Sequence, residues 1–186
     1  MKLSPTGFLV SALAVVALAA LGTAQILRLD LSQMIARTTD TVRGKIAARH
    51  VIRIDHPVDG PELYFTTLTI EGRSLETGKP LTVDVSFAGG FVDAEHGSFN
   101  SEAPSADDTR VGNDVVCFFQ KNANLGGGFA CNEILTWHGG LYRTFERKGD
   151  TIVQGRGEGY AVPANVRLEE LTKQIATLAK SKEQAR

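Results

Sequence analysis

Polar and apolar residues alternate over positions 41–55 (TVRGKIAARHVIRID). Val42, Gly44, Ile46, Ala48, His50, Ile52 and Ile54 fall on one side, and Thr41, Arg43, Lys45, Ala47, Arg49, Val51, Arg53 and Asp55 on the other. A period of two predicts a strand with one buried face. At this length the strand needs a bend or bulge, and Gly44 is the expected place for it. Residues 63–71 and 81–87 continue the pattern as two more strands, and Gly89-Gly90 ends the second. Residues 115–120 (VVCFFQ) are almost continuously apolar, as in a strand covered on both faces. A turn at 121–127 returns the chain through 128–134, and residues 141–146 and 151–154 pair across 147–150 as a further hairpin.

Two helices flank these strands. Asp30 with Gln33 three residues on has the form of a capping box, opening a short helix within 25–40 whose apolar face is Leu27, Leu31, Met34 and Ile35. Within 161–186, Leu168, Leu171, Ile175 and Leu178 recur at helical spacing. Glu169 and Glu170 lie early and Lys180 and Lys182 late, which suits the helix dipole, and Asn165 is the expected cap. No crossover helix separates the strands, so a parallel α/β fold is excluded. The expected fold is mainly β: a small antiparallel barrel or sandwich, OB-like, over 41–160, with a short N-terminal helix and a C-terminal amphipathic helix.

The first 24 residues stand apart. Lys2 precedes an uncharged apolar run at 8–21, and Gly22-Thr23-Ala24 supplies small residues before Gln25. This is the layout of a cleaved signal peptide. The alternative is an uncleaved anchor over 6–26, although the run is short for a membrane-spanning helix. Either way the chain is expected outside the cytoplasm, periplasmic or secreted. With 42% hydrophobic and 22% charged residues and a formal net charge of -1, the composition is that of a folded domain. Nothing in it draws the chain to nucleic acid or a membrane surface. An oxidising compartment gives Cys117 and Cys131 a role. A turn pairing 121 with 127 would set them opposite each other, at disulfide distance.

The strand ending in Gly89-Gly90, then Ser101-Glu102-Ala103-Pro104, Val111-Gly112 before Val115-Val116, Gly140-Leu141-Tyr142-Arg143-Thr144, and a terminal Leu168-Glu169-Glu170-Leu171 helix resemble a loosely defined group of small exported bacterial proteins of uncharacterised function. The resemblance implies export and an OB-type or netrin-like barrel, the architecture of metalloproteinase inhibitors. The inhibitors' N-terminal cysteine is absent, so no inhibitory residue carries over.

Catalytic and metal motifs are weak. Cys131 and His138 form the one close Cys–His couple, without an orienting third group or a recognisable oxyanion hole. No Gly-x-Ser-x-Gly elbow occurs. His50, His56, His96 and His138 share no ligand spacing. Glu102, Asp107, Asp108, Asn113 and Asp114 collect oxygen ligands in one loop, but EF-hand spacing is missing, so a solvated acidic loop is expected rather than a Ca²⁺ site. Neither the glycines at 126–128 nor those at 155, 157 and 159 carry a P-loop Lys-Ser/Thr, and they read as turns. Arg43, Lys45, Arg49 and Arg53 form a basic stripe on one strand face, suited to an anionic polymer or to blocking edge pairing. The expectation is a non-enzymatic exported domain, without metal or cofactor, that binds an envelope or extracellular protein. A binder of anionic glycan through the stripe comes second, and a hydrolase third.

Overall fold

The computed structural model describes residues 27–184. Its strands are β1 (Asp40–His56), β2 (Gly60–Ser74), β3 (Pro80–Ala88), β4 (Gly90–Phe91), β5 (Gly97–Ser98), β6 (Asp114–Asn122), β7 (Cys131–Ile134), β8 (Leu141–Arg147), β9 (Asp150–Val153) and β10 (Val166–Arg167). A helix α1 (Leu31–Arg37) precedes them, a 3₁₀ turn (Trp137–Gly140) joins β7 to β8, and a helix α2 (Leu168–Gln184) follows. The expected β class, barrel and two helices are borne out.

Five strands close the barrel in the order β1-β2-β3-β7-β6, with β6 returning to β1. Every contact is antiparallel except β3 with β7, which meet in parallel at Ser86 and Glu133. This is the OB-like closure: β1 is long enough to pair with β2 along its length and with β6 along its first six residues. β8, β9 and β10 extend the sheet from the other edge of β6. That places β6 in the middle, which is why residues 115–119 are buried throughout.

Two apolar clusters result. The barrel interior holds Val42, Ile46, Leu68, Ile70, Val85, Phe87, Val115, Cys117, Phe119, Ile134 and Leu141. The outer cluster packs Met34 and Ile35 of α1 and Leu171 and Ile175 of α2 against Val116, Phe118, Tyr142 and Val153. Alternate residues of β6 therefore feed different cores. α1 begins with the expected capping box: the Gln33 amide donates to Asp30 Oδ1 at 2.8 Å, and the Asp30 amide donates to Gln33 Oε1 at 3.2 Å. Asn165 does not cap α2. Its side-chain oxygen accepts from the Gly155 amide at 2.9 Å, and β10 intervenes before the helix starts.

The bend in β1 lies at Ala47, not Gly44. Ile46 pairs with Ile70 and Ala48 with Thr69, so Ala47 is the extra residue of a bulge. Gly44 has another task. It lies directly opposite Gly72, and a Cβ on Gly44 would sit 2.3 Å from the Glu71 carbonyl oxygen. The two glycines let the strands approach closely at this pair.

The 89–113 stretch is a long connection between two barrel strands, as its composition suggested. Gly89 (φ 98°) and Gly90 (φ 132°) turn the chain out of β3 in conformations open to glycine. A β4–β5 hairpin follows, and the loop then runs to β6.

Candidate functional site

Two surface features carry chemistry. The first is a groove of about 490 Å³ at the start of β2 and the end of β3. Its walls come from three connections: Asp59 of the β1–β2 loop, Leu125 and Gly126 of the β6–β7 loop, and Ser98–Ser101 after β5. Its floor includes Leu63, Tyr64, Phe65 and Ala88. The Gly127 amide donates to Asp59 Oδ2 at 2.8 Å, tying two of the walls together, and the Phe65 and Phe129 rings lie 5.2 Å apart behind them. The Asn100 side-chain amide donates to the Ala88 carbonyl at 3.0 Å and fixes the third wall. Phe99 stands on this frame 83% exposed, and Val58 in the β1–β2 loop is 84% exposed. Phe91 and Val92 on the adjoining hairpin are exposed too. Of these exposed apolar side chains, Phe99 lines the groove itself, while Val58 neighbours Asp59 in the chain and Phe91 and Val92 follow Gly89.

The second feature is a polar cleft of about 330 Å³ lined by Ser105, Asp107, Asp108, His138, Arg143, Gln154, Gly155 and Arg156. Asp108 is at its centre, its side chain only 10% exposed. The Asp108 amide donates to Ser105 Oγ at 3.1 Å, closing a local turn. Its carboxylate faces two cations: Arg156 Nη2 at 3.0 Å from Oδ2 and Arg143 Nε at 3.0 Å from Oδ1. Burial pushes this carboxyl up, but Arg156, the Ser105 contact and Arg143 together hold it below the usual carboxylate range. Arg156 also donates through Nε to the Leu141 carbonyl at 3.2 Å and lies over the Tyr142 ring, 5.4 Å from its centroid. Burial pushes the Tyr142 phenol up to about 12.

His138 reaches the cleft through an unusual backbone. Thr136 (φ 54°), just before the 3₁₀ turn, and Trp137 (φ 44°), its first residue, both adopt positive φ, a conformation that costs free energy in non-glycine residues. Glu133 holds the turn in place by accepting from Trp137 Nε1 at 2.8 Å, Asn122 Nδ2 at 2.9 Å and Gln120 Nε2 at 3.1 Å. Arg156 Nη1 lies 3.1 Å from His138 Nε2. A guanidinium only donates, so Nε2 is the acceptor and the ring proton is on Nδ1. Burial, and then Arg156, lower the His138 pKa and keep the ring neutral.

The residues singled out from the sequence are dispersed. The bulge at Ala47 splits the basic stripe. Arg43 and Lys45 keep the outer face, whereas Arg49 pairs opposite Leu68 and Arg53 opposite Tyr64, on the face that continues the barrel interior. Charge pairing divides them further: Lys45 lies 3.5 Å from Asp114, and Arg53 lies 3.1 Å from Asp55 and 3.3 Å from Glu62. The one-faced stripe is thus corrected. His50 is exposed and not on an apolar face. The acidic loop is also neutralised piecewise. Asp107 meets Arg110 at 2.6 Å, Asp108 meets its two arginines and Asp114 meets Lys45. No cluster of three metal-ligating side chains forms among the described residues.

Cys117 and Cys131 are not bonded. The β6–β7 connection is wider than expected: Asn122 pairs with Cys131 and Phe119 with Ile134. Cys117 instead lies between Val42 and Leu141 inside the barrel, and Cys131 lies on the other face beside Ser86. Burial raises both thiol pKa values, most strongly for Cys117. Neither thiol has the lowered pKa of a reactive nucleophile. Alkylating the native protein without reductant, followed by intact mass, should show Cys131 modified first. Cys117 should react only after unfolding, and one unreactive pair until reduction would contradict this geometry.

The polar cleft was not legible as a unit, because Asp108 meets partners 35 and 48 positions away. The groove had one signal, Phe99, which with Phe91 is one of two aromatics in an otherwise polar connection. No family model, curated protein or solved structure matches the chain.

Proposed function

We propose that the chain is an exported, non-enzymatic binding module that takes a segment of an envelope or extracellular protein in the groove between the β1–β2 and β6–β7 loops. The observation that carries this reading is a braced groove with the exposed Phe99 on its wall, bordered in the chain by the exposed Val58, Phe91 and Val92. Closed barrels of this kind use these same two loops and the β2–β3 face to hold oligonucleotides and oligosaccharides; the exposed Phe99 and the carboxylates of the lining favour a protein segment here. The groove's ionisable lining is Asp59 and Glu62, so an anionic polymer is disfavoured there. The split and partly neutralised basic side chains of β1 weaken the glycan reading in the same way. The export reading rests on the signal-like layout of residues 1–24, which lies outside the described residues, and on the resemblance to small exported proteins.

Phe99→Ser tests it. The residue makes little packing, so the change in stability should stay within about 0.5 kcal/mol. Binding to the cognate partner should weaken at least tenfold, as when an exposed aromatic anchor is removed from an interface. Arg43→Glu with Arg49→Glu should leave that binding intact. The reverse pattern would overturn the protein-segment reading in favour of a polyanion.

A further inference from the structure

The polar cleft has more donors than acceptors. Arg156 is committed to Asp108, the Leu141 carbonyl and His138. Arg143 is not. Its Nη2 meets only Gln154 Oε1, at 3.4 Å, and its Nε is buried beside Asp108 without hydrogen-bond geometry. Gln154 is exposed, and accepting through Oε1 leaves its side-chain NH₂ unpaired. Ser105 is taken up by Asp108 itself: its oxygen accepts from the Asp108 amide, and its hydroxyl helps stabilise the carboxylate. His138 carries its proton on Nδ1 for the reason given above.

Charge points the same way. Two guanidiniums, Arg143 and Arg156, share the single carboxylate of Asp108. The other carboxylate of the lining, Asp107, is held by Arg110. One positive charge is left over, on Arg143, at the mouth of a cleft whose lining presents unpaired N–H groups. A planar guanidinium beside an amide NH₂ matches the oxygens of a carboxylate or a phosphate.

We infer that this cleft is a binding site for a small oxyanion, a carboxylate or a phosphate group, anchored by Arg143 with Gln154. The anion supplies the missing negative charge and the missing acceptors together. The site lies on the β8–β9 side of the molecule, built from different residues than the apolar groove, and does not depend on the function assigned to that groove.

The test is a titration of the ¹⁵N-labelled protein with inorganic phosphate and, separately, with acetate, each against sodium chloride of equal ionic strength. Phosphate or acetate should move the Arg143 Nε–H and Gln154 side-chain signals in a saturable way that chloride does not reproduce. Preference between the two anions identifies which group the site takes. Arg143→Gln should weaken binding about tenfold to a hundredfold, the loss expected for one charge-assisted contact. Gln154→Glu, a surface change that leaves the Asp108 contacts in place, should weaken it as well by placing a carboxylate at the mouth. Shifts no larger than those in chloride, or saturable binding unchanged in both variants, would overturn the inference.

Discussion

Asp108→Asn is expected to lower the unfolding free energy by about 3 kcal/mol, the low end of the cost of removing one partner from a buried ion pair. The substitution keeps the shape of the side chain and removes its charge. Arg156, whose side chain is 14% exposed, is then left without a counter-ion. Arg143 is 39% exposed and regains water, so it adds less. The loss reaches beyond the pair, because Asp108 holds the connection before β6 against β8 and the 155–163 segment. Urea unfolding measures it: the midpoint should fall with an unchanged slope. A decrease below about 1 kcal/mol would mean that the clasp contributes little.

The same carboxylate sets a pH dependence. Its folded-state pKa is depressed, so its contribution is fully present above the unfolded carboxylate value of about 3.9. The contribution is lost as pH falls through the lower folded value. The advantage of the wild type over Asp108→Asn should therefore be constant above about pH 5 and shrink in more acidic solution. An advantage that grew on acidification would contradict the assignment.

Gly44→Ala is expected to cost about 2–3 kcal/mol, in the range for overpacking a filled site. The new Cβ would meet backbone atoms of Glu71 at 2.3 and 2.7 Å, and backbone cannot rotate away. The β1–β2 ladder would have to separate where it closes the barrel. For a domain of this size the melting temperature should fall by roughly 4–12 °C. Gly72→Ala should behave alike, since its Cβ would lie 2.0 Å from the Arg43 carbonyl oxygen. A melting temperature unchanged in both variants would show that the strands tolerate a wider spacing.

These effects separate what local pattern encodes from what it does not. The capping box at Asp30 and Gln33, the alternation of β1, the continuous apolar run of β6 and the β8–β9 hairpin are short-range signals, and each is found in the fold. The Ala47 bulge is different. A single inserted alanine leaves the alternation intact on paper yet exchanges the faces beyond it, which is how Arg49 and Arg53 part from Arg43 and Lys45. The cysteine pairing depended on the length of one turn. A wider loop, with Asn122 opposite Cys131, moved the register and put the thiols on opposite faces. The polar cleft depends on the meeting of residues 108, 143 and 156, which only the closed barrel brings together.

The most direct test of the binding reading is photo-crosslinking from position 99 in the full-length protein, with position 145 as a second exposed aromatic site away from the groove. A discrete protein adduct from 99, absent from 145 and competed by unlabelled wild-type protein but not by Phe99→Ser, is the predicted result. Equal adducts from both positions, or none from 99 while Arg49 and Arg53 variants abolish binding to an anionic polymer, would contradict the account.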